Sequence, residues 1–399
     1  VPSSLFHPPT RSEALDRVAR FASRAGAAYA SGRNTDFGPD EVGRVSRLSP
    51  FVRRRLVSEA EVVSGVLSEN SPQACEKFVQ EALWRTYWKG WLEMRQGVWR
   101  RFLDERDRQR DALGDLVALR RAESGSTGIE GFDDWARELV RTGFLHNHAR
   151  MWFASIWIFT LRLPWTLGAD FFLRHLVDAD PASNTLSWRW VAGLQTPGKT
   201  YLATTDNISR YTEGRFAPRG LAGQAIALVE PPLEGPRPLP AAGRLHGNEA
   251  TVLLVTDEDM SPETIFSEQG RFAGAVVAVD PGLLWGERAR EFAMSAGDDA
   301  ARRIGAAFGC PVKRSEALDA ETLVLAAQAA GVRHLVTAYA PVGPVADRLA
   351  TLARELAGEG IKLTQVRRDW DDKFWPYARK GFFAFKERIP GALREMGLM

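Results

Sequence analysis

Cysteine is almost missing from this chain: Cys75 and Cys310 are the only two in 399 residues. So few thiols, so far apart, cannot build an iron–sulfur cluster or a cysteine-rich zinc site. Reduced, buried thiols in a cytoplasmic protein are the expected state. Histidine is also scarce, with six in all. His146 and His148 stand two apart without a third ligand at a suitable spacing, so no metal site is expected. Charge of one sign is lacking too: the net charge is +2, and any affinity for nucleic acid must come from a local basic face. The longest apolar run, Met151–Leu161, is bounded by Arg150 and Arg162 and is too short to span a bilayer. The opening residues VPSSLFHPPTRSEA have no apolar core of a secretory signal. No association with a membrane is expected.

Tryptophan, by contrast, is plentiful. Ten of the thirteen Trp residues precede residue 191, which concentrates the aromatic chemistry in the first half. The segment Thr142–Trp190 scatters Asn, Arg, Asp and His among Trp and Phe at helix-compatible intervals. Each polar group buried there needs a partner. A large aromatic ligand with polar edges, held between helices, accounts for the mixture.

Residues 1–216 read as helical, with capping signals at Ser58 and at Ser71-Pro72 before the run Ala74–Leu92. Residues 217–247 are a Pro-rich, partly extended linker. From 248 to 399 the pattern becomes α/β. β-rich runs at Thr251–Val255, Ala275–Val279, His334–Ala338 and Lys362–Val366 alternate with helical stretches at Glu287–Phe308, Ala320–Ala330 and Val345–Gly358. Such alternation predicts a doubly wound parallel sheet. No glycine-rich phosphate loop follows the first strand; Thr256-Asp257-Glu258-Asp259 stands there instead. The fold class expected is therefore an all-helical domain followed by a doubly wound α/β domain.

Several motifs of the helical half fall in the order of one family. Val45-Ser46-Arg47-Leu48-Ser49-Pro50 is similar to a T-S-R-L-S-P element, and Glu81-Ala82-Leu83-Trp84-Arg85 to E-L-x-W-R. The stretch from Thr142 to Met151 is similar to T-G-W-x-H-N-R-x-R-M. Asp178-Ala179-Asp180, Asn184 and Trp188-Arg189-Trp190 are similar to D-G-D…N…W-Q-W. Together they resemble the flavin-binding domain of the photolyase/cryptochrome family over about residues 25–216. Gly381-Phe382-Phe383-Ala384-Phe385-Lys386-Glu387-Arg388 resembles, more faintly, the close of that family's antenna domain. That domain comes first in typical members, so the order here implies a circular permutation.

The resemblance implies FAD as cofactor and leaves room for a second, antenna chromophore of unspecified kind. It assigns Tyr29, Arg33, Ser46, Arg47, Leu48, Ser49, Phe78, Arg85, Phe144, Asn147, Arg150, Asp178, Asp180 and Asn184 to the flavin. Hydroxyl and backbone donors at a turn-to-helix junction suit a diphosphate. Asn147, Arg150 and Met151 share one helix face, and the amide of Asn184 can donate or accept at the flavin ring. Glu81, Trp84, Met151 and Trp190 match positions lining a lesion pocket, where a flipped base needs aromatic faces and an acid. These four and Asn184 form the expected catalytic set.

Trp188 and Trp165 match the first two members of an electron-transfer chain. No Trp lies between Arg100 and Asp134 to serve as the third, so Trp135, Trp152 or Trp157 substitutes, or the chain ends early. Read one at a time, each Trp is more often core packing than part of such a chain. His148 stands where the family has Arg, and Lys199 is the candidate for an Arg expected after Trp190. Arg53-Arg54-Arg55 and Arg100-Arg101 read either as a DNA-facing surface or as solvated helix faces.

The resemblance thus implies light-driven repair of pyrimidine dimers in damaged DNA by electron transfer from reduced flavin. The alternative is a cryptochrome-like photoreceptor with a signalling partner and no repair. The sequence leaves the oligomeric state open.

Overall fold

The computed structural model describes every residue except 1–4, 41–44, 115, 246–249 and 267–271, so the far N-terminus and the end of the Pro-rich stretch lie outside the described residues. Helices occupy the first half, and all named strands follow Ala250. Ser58 caps the Glu59–Leu67 helix in a full capping box: its Oγ accepts from the Glu61 N–H, and the Glu61 carboxylate accepts from the Ser58 N–H. The apolar run after Arg150 is helical but irregular. An α-helix, Asn147–Ser155, passes into a π-helical turn, Ile156–Thr160. Arg162 follows with φ 55°, a left-handed conformation that ends the helix. Helix Trp165–His175 then packs on helix Pro181–Val191. Gly168 is required at that crossing, because a Cβ would collide with the Trp188 indole.

The sheet has five parallel strands: β1 (Thr251–Val255), β2 (Phe272–Ala278), β3 (Val312–Ser315), β4 (His334–Ala338) and β5 (Lys362–Val366), in the order β3-β2-β1-β4-β5. β1, β4, β5 and helix Glu287–Phe308 match the expected spans residue for residue. β2 starts earlier than expected, and β3 was not anticipated. Its sequence, Val-Lys-Arg-Ser, is a short, half-buried edge without apolar alternation. No helix among the described residues is long and apolar enough to cross a membrane.

Helical and α/β parts share one hydrophobic core, with Phe51 edge-on to Phe292 at 5.2 Å. Open α/β sheets bind ligands outside the carboxyl ends of their strands, where the strand order reverses. Here that crevice, after β1 and β4, is filled by the helical half. Arg53 forks onto Glu258 (2.5 and 2.6 Å), Arg54 pairs with Asp257, and Arg55 holds Asp371 (2.7 and 2.8 Å). Arg368 grips Asp259 from within the α/β part at 2.6 and 2.7 Å. After β4, the Tyr339 hydroxyl and the Val342 N–H both donate to the Glu93 carboxylate (2.8 and 2.6 Å). The Arg53–Arg55 triplet is therefore neither DNA-facing nor a solvated face. It is buried, because the acidic loop after β1 offers matched carboxylates that are distant in sequence. Arg101 differs: it lies on the Pro-rich ribbon, donating to the Pro231 carbonyl at 2.9 Å.

Candidate functional site

The expected cofactor residues form two neighbourhoods. The first is an ion cluster around Asp180. This residue caps helix Pro181–Val191, its Oδ1 accepting from the Ser183 N–H at 2.7 Å. Its Oδ2 accepts from Arg85 at 2.8 Å, with Arg53 at 3.5 Å and Lys89 at 3.9 Å. Burial pushes the Asp180 carboxyl up, yet Arg85, Lys89 and Arg53 outweigh it and hold the group far below the usual carboxylate range. Arg85 also reaches Asp178 at 3.3 Å, and Arg150 approaches the same carboxylate at 3.8 Å. Arg150 is fixed further by its Nε, which donates to the Leu145 carbonyl at 2.9 Å. One turn along from Asp180, buried Asn184 donates its Nδ2 to the Ala169 carbonyl at 2.8 Å. The amide nitrogen is thus committed to the fold, and Oδ1 is the atom available to a ligand. Phe144 bridges toward the Ser46–Ser49 turn, with the guanidinium of Arg47 at 5.3 Å and that of Arg150 at 6.0 Å from its ring centre. Arg47 has φ 50° and donates to the Pro39 carbonyl at 3.1 Å. Leu48 is buried and begins helix Ser49–Arg53.

The second neighbourhood surrounds Phe78. Tyr29 meets its ring edge-on at 5.2 Å, and Arg33 lies 3.5 Å from Glu81. Burial raises the Glu81 carboxyl, with Arg33 partly offsetting it. Asn147 opens helix Asn147–Ser155 and is exposed; Met151, one turn on, is half-buried.

The pocket aromatics are engaged within the protein. Trp84 lies flat against Phe382, ring centres 3.6 Å apart and planes at 10°. Trp190 stacks on Tyr201 at 5.7 Å. Trp188 is buried against Phe172 (5.1 Å) and Trp157 (6.2 Å). Trp165 packs on Phe102 at 5.7 Å. Of the substitutes for the third tryptophan, Trp157 is the one in contact with Trp188, whereas Trp135 and Trp152 stack on each other at 5.3 Å. His148 is also used internally, bonded to the Asn34 carbonyl (2.8 Å) and the Tyr201 hydroxyl (3.2 Å), while Lys199 is exposed.

Sequence reasoning missed Arg53 and Lys89. Lys89 was findable: it lies one turn after Arg85 on the same helix, so both reach Asp180. Arg53 needed the three-dimensional fold.

The donor set suits a large, acceptor-rich ligand such as FAD. Arg47 and Arg150 flank the Phe144 ring, and Arg85 and Arg150 share the Asp178 carboxylate. The buried Ser183 Oγ, Thr185 Oγ1 and Lys89 Nζ have no hydrogen-bond partner among the described residues. Buried donors without partners are costly unless a ligand meets them.

Residues 78–214 match the family described as the FAD binding domain of DNA photolyase. The deoxyribodipyrimidine photo-lyase of Streptomyces griseus is 38% identical over 152 residues, 38% of this chain and 32% of that protein. The enzyme of the same name from Alkalihalophilus pseudofirmus is 31% identical over 198 residues, 49% of this chain and 40% of that one. The chain therefore spans less than half the length of these two relatives. Among solved structures, a class III photolyase from Agrobacterium tumefaciens aligns at 26% identity and TM-score 0.42, over 51% of this chain and 44% of that one. A Synechocystis cryptochrome aligns at 23% identity and TM-score 0.42, over 51% and 43%. The match at residues 78–214 and these relatives place the likeness to photolyases in the helical part of the chain.

Proposed function

We propose that the protein binds FAD in its helical half and uses blue light to split pyrimidine dimers in damaged DNA. The observation that carries the reading is the Asp178–Asp180–Arg85–Arg150–Asn184 cluster, whose residues occupy the matched motifs and beside which the buried Lys89 Nζ lacks a hydrogen-bond partner among the described residues. Bound reduced FAD supplies the light-excited electron; the protein supplies orientation, electrostatics and exclusion of water. Arg85 and Arg150 fix Asp178, and Asp180 fixes the start of helix Pro181–Val191 and with it the position of Asn184. Asn184 Oδ1 offers a neutral acceptor to the flavin ring. Glu81 hydrogen-bonds the base edge of a flipped dimer, and Trp84, Trp190 and Met151 line its pocket. Trp188 and Trp165 carry oxidising equivalents outward during photoreduction. Ser46, Arg47, Leu48 and Ser49 hold the diphosphate side, with Tyr29, Arg33, Phe78, Phe144 and Asn147 completing the cofactor site.

The division at 1–216, 217–247 and 248–399 is part of this reading, and the order of its parts is a circular permutation of the family's. Buried, unpaired Cys75 and Cys310 suit a cytoplasmic location. An antenna chromophore gains no support at the α/β switch point, which the Arg53–Arg55 and Glu93 contacts fill.

A second reading, a photoreceptor with a signalling partner, is favoured by one observation: Phe382 covers the Trp84 face that a dimer needs. The test is illumination of reduced, FAD-loaded protein with an oligonucleotide carrying a cyclobutane thymine dimer. Repair restores the absorbance of the two thymines. A light-driven spectral change of the protein without that recovery overturns the repair reading in favour of the photoreceptor.

A further inference from the structure

Three of the thirteen tryptophans lie in the α/β half: Trp285, Trp370 and Trp375. Trp370 and Trp375 are buried, whereas Trp285 is half-buried. Trp285 lies at the end of the loop between β2 and helix Glu287–Phe308, and that loop is pressed onto the helical half. Gly286 makes the close approach possible, because a Cβ there would overlap the Arg174 carbonyl oxygen on helix Trp165–His175. The Trp285 indole meets Trp99, on helix Gly97–Ala112, edge-on at 5.5 Å. Trp99 lies 5.4 Å from Phe102, one turn on, and Phe102 lies 5.7 Å from Trp165.

A ladder of rings in contact therefore runs from Trp165 in the helical core to the surface of the α/β half. Trp99 and Phe102 are fully buried, so the middle of the ladder is shut off from water. The Trp99 Nε1 has no hydrogen-bond partner among the described residues. An oxidised indole readily loses the proton on that nitrogen. With nothing there to take it, the positive charge stays on the ring and can be passed on. A buried charge is costly, which favours its movement towards water at Trp285. Arg189 stands 6.0 Å from the Trp165 ring centre but carries its counter-charge, Glu230, with it. The other indole on Trp188, Trp157, leads nowhere comparable: it is fully buried, and its onward ring contacts are Phe153 and Phe171.

We propose that Trp99 and Trp285 complete the outward path, so that an external reductant meets the protein on its α/β half, at Trp285. The inference rests on the proposed function, which supplies the light-driven demand for electrons and their passage through Trp188 and Trp165. One electron moves inward for each positive charge moved outward. From Trp165 the charge passes across Phe102 to Trp99, and from there to Trp285. At Trp285 a thiolate in solution gives up one electron, which restores the neutral indole and leaves a thiyl radical. No bond to the protein forms or breaks. The path crosses the seam between the two halves, so photoreduction depends on a residue outside the helical half.

The experiment illuminates FAD-loaded protein with blue light under nitrogen, with dithiothreitol as the reductant, and follows bleaching of the oxidised flavin. Trp99→Phe and Trp285→Phe should each slow bleaching by roughly tenfold or more. Trp285→Tyr keeps an oxidisable ring and should recover most of the rate, whereas a role in packing alone would not tell Tyr from Phe. Peptide mass spectrometry after illumination in air, without thiol, should find oxidation at Trp285 in the wild type and lose it in Trp99→Phe. Bleaching at the wild-type rate in both Phe variants, with Trp165→Phe inactive, overturns the relay and leaves the proposed function standing. So does a Trp285 oxidised equally with and without Trp99. Protein that holds no FAD, or FAD that light and thiol do not reduce, overturns the path through Trp188 and Trp165 and the relay together.

Discussion

Phe382 lies on Trp84 as one base lies on the next, with ring centres 3.6 Å apart and planes at 10°. The contact joins the short helix Phe382–Lys386 to the long helix Glu76–Glu93. Two flanking bonds reinforce it: the Tyr87 hydroxyl donates to the Lys380 carbonyl at 2.9 Å, and Arg95 donates to the Arg379 carbonyl at 2.8 Å. A protein ring thus occupies the stacking partner's place on the aromatic face that the repair reading assigns to a dimer.

Replacing Phe382 by Ala removes a buried ring and should destabilise the protein by about 3 kcal/mol, as measured by urea unfolding. The same variant should leave Trp84 open to acrylamide quenching and tighten binding of dimer-containing oligonucleotide. Unchanged quenching would mean that Phe382 does not shield Trp84 in solution.

Arg53 is shared between Glu258 after β1 and Asp180 in the helical cluster. Glu258→Gln leaves a buried guanidinium short of its main counter-charge, so a loss of about 3–5 kcal/mol in unfolding free energy is expected. The double variant Arg53→Met, Glu258→Leu should recover most of it, since a well-packed apolar pair avoids both desolvation costs. A small effect for the single variant would show that Asp180 alone satisfies Arg53.

Glu93 gives a pH signature. Burial raises its carboxyl to about 7, against the lowering effect of the Val342 N–H and the Tyr339 hydroxyl. A folded-state value above the unfolded one means that the native protein binds the extra proton. Stability from this group is therefore full below the unfolded value near 4.5 and falls as pH rises towards 7, by roughly 3 kcal/mol at most. Glu93→Gln keeps an acceptor for the Val342 N–H and can donate to the Tyr339 oxygen. It should flatten the stability profile between these values and be the more stable form at pH 8 (chosen as about one unit above the folded value). A wild-type profile that rises across this window would contradict the assignment.

Trp188 is buried, and its Nε1 has no partner among the described residues. Trp188→Phe should therefore cost only about 1–2 kcal/mol of stability and leave FAD content intact. On the proposed function, photoreduction of the bound flavin under blue light should slow by roughly tenfold or more, the equivalent of about 1.4 kcal/mol in barrier. Photoreduction at the wild-type rate would remove Trp188 from the path.

Local pattern made much of this architecture readable. β1, β4, β5 and helix Glu287–Phe308 were set by apolar runs and helix-forming composition, which act within a few residues. β3 escaped because an edge strand half open to solvent has no need of an apolar pattern. The Asp178–Asn184 spacing gave a capped helix with its polar groups one turn apart, as found. The fate of Arg53–Arg55 was not legible, because the carboxylates that bury them lie some 200 to 300 positions away in sequence. The cover over Trp84 was hidden for the same reason: Phe382 reaches it only through the packing of the two halves.

The most direct test of the account is the visible absorption spectrum of the purified protein, with its flavin released and counted. The account predicts a yellow protein carrying equimolar FAD, and loss of that FAD when Arg85 is replaced by Ala in a variant that remains folded. A folded, colourless protein that takes up no FAD when incubated with it would contradict the central claim.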